Sequence, residues 1–223
     1  MPMRNIELVA LRPGVGASTF AFCLAREIKA ELVIDSPNDV GALLAAGITR
    51  RDWPQIVDSS SATSNYIAEK AAQLMAMLPT IDGMTIASGD KTPNGLQDCL
   101  MHWAEKYQVI SLQSIDSTAT KVFILDYPDE FDEQLAALDD LVVGAQPFAV
   151  IVKTSNFKSL NVKTHALLAG VPVFQFRFQT AVSSSLKMGF GIPAAASMSK
   201  TSRIVAGWFQ DMWNEESQIK NGA

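Results

Sequence analysis

A short apolar run, Ile6-Glu7-Leu8-Val9-Ala10-Leu11, leads into a turn that carries Gly14 and Gly16, and the chain then takes up helical spacing at once. From Ser18 to Ala30, Phe20, Leu24 and Ile28 form one stripe, with Ala21 and Ala25 beside it. Strand, glycine turn and helix in immediate succession leave few folds open, because the helix must turn back and cover the strand that precedes it. Glycine adopts backbone angles that other residues avoid, so the main-chain N–H groups of such a turn can approach an anion. The helix N-terminus adds its partial positive charge at the same place.

The rest of the chain repeats the alternation. Strands are expected at Glu31–Asp35, Met84–Ala87, Lys121–Asp126, Phe148–Val152 and Val171–Phe178. Helices are expected at Asp39–Ala46, Tyr66–Leu78, Leu96–Tyr107, Phe131–Leu141, Val162–Leu168 and from about Ser199 to Glu216. Arg50–Ser64 reads as a polar connection with a Trp-Pro step at Trp53-Pro54, and Ser183-Ser184-Ser185 reads as a turn. Strand and helix alternate without repeats or low-complexity linkers, the pattern of a mostly parallel sheet with helices on both faces. A single α/β domain over residues 1–223 is the expectation.

Composition narrows the function classes. Of 223 residues 48% are apolar and 18% charged, enough for a large core, and no apolar run approaches a membrane span. Charge arrives before any long apolar run at the start, Met1 to Glu7, so no secretory signal is expected. Cys23 and Cys99 sit inside apolar helical patterns and read as buried thiols of a cytoplasmic protein. His102 and His165 lack metal-ligand spacing. The net charge of −5 hides an asymmetry: Gly144 to Gln210 has no acid and seven cations, so the remainder carries −12. Those cations are Lys153, Lys158, Lys163, Arg177, Lys187, Lys200 and Arg203. They fit either an anionic partner or a solvated surface.

The turn Arg12-Pro13-Gly14-Val15-Gly16-Ala17-Ser18-Thr19 resembles the deviant P-loop of the ParA/MinD family of ATPases, K-G-G-x-G-K-[ST]-[ST]. Arg12 takes the place of the leading lysine, Gly14 and Gly16 match the later glycines, and Ser18 matches the hydroxyl that ligates Mg²⁺. The resemblance extends to Asp35 at the end of Val33-Ile34-Asp35. It also reaches Phe123-Ile124-Leu125-Asp126-Tyr127-Pro128, which is similar to the family's Walker B strand. Order and spacing agree over roughly the first 150 residues. The resemblance implies a three-layer P-loop NTPase fold that binds ATP with Mg²⁺. Arg12, Gly14, Val15, Gly16, Ala17, Ser18 and Thr19 would hold the phosphates, Ser18 and Asp126 would hold Mg²⁺, and Asp35 and Asp126 would organise the metal and the attacking water.

It further implies a nucleotide-dependent homodimer and an adaptor protein partner, in a bacterial cytoplasmic or nucleoid-associated switch for plasmid partition, stability or conjugation. Lys153, Lys158, Lys163, Lys187, Lys200 and Arg203 are then candidates for non-specific DNA contact. The chain departs from the family at three places. Ala17 replaces the P-loop lysine, which holds the terminal phosphates as a point charge. Pro13 replaces a glycine and removes an N–H donor. Pro37 stands where a second acid is common, and whether Asp39 takes its place is open in the sequence. Only weak ATPase activity is therefore expected. The lost lysine is also a feature of the TadZ/CpaE branch, whose members localise a surface machine, and a non-hydrolysing scaffold of that sort is the alternative. A small P-loop kinase or cofactor-synthesis enzyme is a third reading, and Ala17 counts against it.

Two further features have bland readings. Asp126, Asp129, Glu130, Asp132 and Glu133 suit a helix start favoured by the dipole more than a metal site. The last helix carries Asp211, Glu215 and Glu216, which an anionic bilayer would repel, so Trp208 and Trp213 are expected to pack against the sheet or a partner.

Overall fold

The computed structural model describes residues 5–54, 64–91, 95–115, 118–142, 148–154, 168 and 170–221. Among them, eight strands form one sheet: β1 (Ile6–Ala10), β2 (Leu32–Ile34), β3 (Thr80–Ile81), β4 (Met84–Ala87), β5 (Val109–Ser111), β6 (Thr120–Tyr127), β7 (Phe148–Thr154) and β8 (Val173–Arg177). The helices are α1 (Ala17–Ile28), α2 (Gly41–Ala45), α3 (Ser64–Met77), α4 (Leu96–Lys106), α5 (Phe131–Val142), α6 (Thr180–Lys187) and α7 (Ser197–Asn221). Strand order is β3-β4-β2-β5-β1-β6-β7-β8, parallel throughout except for the β3–β4 pair at the edge. This is the expected three-layer α/β arrangement, and its central strands are buried on both faces, as parallel strands must be.

Helix α1 is covered on nearly every side, with ten of its twelve residues buried. It lies between the sheet and α7, with α2 beside it, which explains its run of small and apolar residues. On the opposite face, α3 and α4 cover β2 and β5, and the indole N–H of Trp103 donates to the Ala71 carbonyl at 3.1 Å. Helix α5 covers β6 and β7.

Some boundaries differ from the sequence reading. The strand β5, three residues long, has no sequence signal strong enough to separate it from the end of α4. It is placed by Asn5, whose buried amide donates to the Ala104 carbonyl at 2.9 Å and accepts from the Val109 N–H at 3.1 Å. The serines 183–185, read as a turn, lie within α6. Val182 and Leu186, four residues apart, pack on the core and outweigh the poor helix preference of the serines. Helix α7 docks as expected: Trp208 meets Phe174 of β8 at 6.0 Å between ring centroids, and Trp213 is buried in the same core. No helix among the described residues is long and apolar enough to cross a membrane. Most of the expected Arg50–Ser64 connection and Val162–Leu168 helix lies outside the described residues.

Candidate functional site

The turn between β1 and α1 wraps one side of a cavity of about 500 Å³, inside the usual range of small-molecule sites, about 300–1,000 Å³. Gly14 (φ 78) and Gly16 (φ 88) both hold left-handed backbone, which is why glycine stands at these two places. Gly16 is also the N-cap of α1, so the first N–H groups of the helix border the cavity without helical acceptors. Val15 anchors the turn by burying its side chain in the core, and Ala17 and Thr19 are buried beside it. All seven P-loop candidates, Arg12 and Gly14 to Thr19, line the cavity together with Ser36, Asp39, Gly41 and Leu112.

Two observations fit a phosphate there. A Cβ added at Gly14 would meet open space, so the backbone is approachable at that point. Arg12, on the cavity wall, has a buried Nη1 with no hydrogen-bond partner, and its Nε lies 3.5 Å from Glu130 Oε2. A buried guanidinium nitrogen without an acceptor is costly unless a ligand supplies one.

The structure brings Ser18 to Asp39. The Ser18 hydroxyl donates to Asp39 Oδ2 at 3.0 Å, while Asp39 Oδ1 accepts from the N–H groups of Val40 (2.7 Å) and Gly41 (3.0 Å). A hydroxyl and a carboxylate oxygen side by side are the donor set a hard divalent cation takes, so these residues fit Mg²⁺. Gly41 is required here for space, since a Cβ would come within 2.5 Å of Ser18 Cβ. Asp39, four residues beyond the end of Val33-Ile34-Asp35, is therefore the acid that stands beside Ser18.

Asp35 is fully buried behind this pair and does not border the cavity. Its carboxylate accepts from Ala42 N–H (2.9 Å), the Ser88 hydroxyl (2.8 Å) and Ser36 N–H (3.1 Å), so it ties β2 to α2 and to the end of β4. Burial pushes its carboxyl above the ordinary aspartate value, against the Ala42 hydrogen bond, and the nearby Asp39 charge adds to the rise.

Asp126 lies elsewhere. In the sheet order, β5 fills the place between β1 and β2, whereas β6 lies on the other side of β1. The strand end facing the Ser18–Asp39 side is therefore Ser111-Leu112-Gln113, which has no acid. Asp126 borders a separate cavity with Tyr127, Pro128, Asp129, Lys153, Thr154 and Phe178, and accepts from Lys153 Nζ at 3.0 Å. Ser18 and Asp126, expected together at one metal, are thus held by different partners in different cavities. Among the described residues no group of three or more His, Cys, Asp or Glu side chains could hold a metal by itself.

The candidate DNA contacts also divide. Lys187 and Lys200 are exposed, Arg203 reaches Glu27 at 3.4 Å, and Lys153 is turned to Asp126. Lys158 and Lys163 lie outside the described residues.

No protein-family model matches the chain, and no curated protein matches it by sequence. Solved structures do match. A chain of a MinC:MinD cell division protein complex from Aquifex aeolicus is 14% identical, with a TM-score of 0.59 over 91% of this chain and 96% of that one. Apo McdA of Cyanothece is 13% identical, with a TM-score of 0.58 over 90% of this chain and 98% of that one. A substituted McdA from Cyanothece in complex with ATP matches equally, at 13% identity and 0.58 over 93% and 98%. Agreement over nearly the whole of each chain shows that this protein shares the three-layer fold of these MinC:MinD and McdA structures.

Proposed function

We propose that this chain binds ATP with Mg²⁺ in the cavity of the β1–α1 turn and works as a positional switch of the ParA/MinD kind. The observation that carries the reading is that one cavity is lined by two left-handed glycines, by Arg12 and by a hydrogen-bonded Ser18–Asp39 pair. In this reading the turn and the first N–H groups of α1 receive the phosphates, and a phosphate oxygen accepts from the Arg12 guanidinium. Ser18 and Asp39 would hold Mg²⁺, which, when bound, offsets phosphate charge. Asp39 stays oriented by Val40 and Gly41, and Asp35 fixes α2 behind it. Hydrolysis is expected to be slow, because Ala17 offers no charge and Asp126 is occupied by Lys153.

Titration with a fluorescent ATP analogue tests this, with and without Mg²⁺. Binding strengthened by Mg²⁺ and weakened about tenfold or more in Ser18→Ala and Arg12→Ala is the expected result. No binding at millimolar nucleotide would end the reading.

As a switch, the protein would dimerise on nucleotide, meet an adaptor protein and hold DNA through its basic half. That would suit plasmid partition, stability or conjugation, in the cytoplasm at the nucleoid. Exposed Lys187 and Lys200 support the DNA component. Affinity for random duplex should then fall steeply with salt, and Lys187→Ala with Lys200→Ala should reduce the log–log slope by about two. Affinity for duplex that is absent at low salt would remove that component. The second reading, a non-hydrolysing scaffold of the TadZ/CpaE sort, is favoured by Ala17 and predicts nucleotide binding without turnover.

A further inference from the structure

The loss of the P-loop lysine at Ala17 is matched by the arrival of another lysine from a different strand. Lys153 of β7 stands in register with Asp126 of β6, and β6 adjoins β1. Its Nζ lies 3.4 Å from the Gly14 carbonyl and 3.0 Å from Asp126 Oδ2. The two side chains are only 17% and 15% exposed, so this is a largely desolvated charge pair against the turn, not a solvated surface lysine. The Phe178 ring lies 5.5 Å from Nζ. A smaller cavity of about 140 Å³ runs beside it, lined by Gly14, Gly16, Thr19 and Lys153 among others.

The acids that face the turn share one origin. Asp126, which holds Lys153, and Glu130, which faces Arg12, both belong to the segment between β6 and α5. Gln134, itself buried, fixes that segment. Its Nε2 donates to the carbonyls of Asp126 (3.0 Å), Asp129 (2.8 Å) and Glu130 (3.1 Å), and its Oε1 accepts from Asp126 N–H at 2.7 Å. Each cation at the turn thus has a carboxylate held in place for it by the same segment. Phosphate oxygens are stronger competitors for an ammonium than a single carboxylate, since they bring several acceptors and more charge.

Resting on the nucleotide reading above, we propose that Lys153 supplies from β7 the phosphate-binding cation that Ala17 lacks, and that Asp126 is its internal counter-ion, from which Lys153 is released to the nucleotide on binding. Asp126 then opposes binding, which is the reverse of what a metal-organising acid would do. Removing Lys153 weakens ATP; neutralising Asp126 strengthens it.

The experiment is calorimetric ATP titration, with and without Mg²⁺, of the unmodified protein, Lys153→Ala, Lys153→Arg, Asp126→Asn, the Asp126→Asn/Lys153→Ala pair and the exposed-lysine control Lys106→Ala. Thermal melting without nucleotide accompanies each. We expect Lys153→Ala to lose about tenfold or more in affinity, Lys153→Arg to retain most of it, and Asp126→Asn to gain a few-fold. The double variant removes the pair without stranding a buried charge, so it should fold and still bind weakly. Unchanged affinity in a folded Lys153→Ala or double variant overturns the inference while the nucleotide reading stands. Weaker binding by Asp126→Asn only when Mg²⁺ is present overturns it in favour of a metal role. Failure of the unmodified protein to bind ATP removes the reading and this inference together.

Discussion

Replacing Asp35 with alanine is expected to cost the protein about 2–5 kcal/mol, because the buried N–H of Ala42 would lose its acceptor and be stranded in the core, and the half-buried Ser36 N–H would lose one as well. Ser88 would suffer less, since its hydroxyl also lies 3.0 Å from the Asp39 carbonyl. The damage would spread to the site, because the Ala42 bond seats α2, and α2 begins beside Ser18. Urea unfolding of the variant should show a lower midpoint with an unchanged slope, and an unchanged midpoint would refute the bracing role.

The same carboxylate gives a pH signature. Its folded value is raised by burial, so the folded state holds the proton more tightly than the unfolded chain. Its contribution to stability is therefore largest below the unfolded aspartate value, about 3.9, and declines as pH rises from there through the raised folded value. Glu7 adds a decline of the same sign, since burial raises it against the opposing charge of Lys121. Asp35→Asn keeps an acceptor for Ala42 and should remove the Asp35 share of the decline. Unfolding midpoints compared between pH ~4 and ~8 would show this as a flatter profile.

The second large effect is a gain. Ala17→Lys should tighten ATP binding by roughly 10–100-fold, the equivalent of about 1.5–3 kcal/mol for a charged hydrogen bond in a poorly solvated site. Ala17 is the first residue of α1 and one of the residues lining the cavity, so a lysine there would start beside the turn. The replacement should help most where Lys153 has been removed, because with Lys153 present the two lysines would serve the same phosphates. A folded Ala17→Lys protein with unchanged ATP affinity would mean that the cavity is not a phosphate site. The measurement is the ATP titration already described, run on the single variant and on Ala17→Lys/Lys153→Ala.

Much of the architecture was legible because it depends on local pattern. The apolar run of β6 and the stripe of Phe20, Leu24 and Ile28 in α1 carry their period in the chain itself. The glycine turn was legible for the same reason: Gly14 and Gly16 stand between a strand and a helix, and the left-handed angles they adopt are local properties. The strand β5 was not, because three residues carry little periodicity and its position is set by Asn5, more than a hundred residues away, through Val109. Nor was α6, where packing of Val182 and Leu186 outweighed serine propensity.

The site divides along the same line. Its turn and its missing lysine can be read from consecutive residues, and so can the presence of acids at the ends of β2 and β6. Which acid faces Ser18 cannot. That depends on β5 entering the sheet between β1 and β2, which puts Asp126 on the far side of β1 and leaves Asp39 at the cavity. The Asp126–Lys153 pair likewise arises from the parallel register of β6 and β7. Sheet order and register are set by burial and hydrogen bonding between segments distant in the chain, and no local run of residues encodes them.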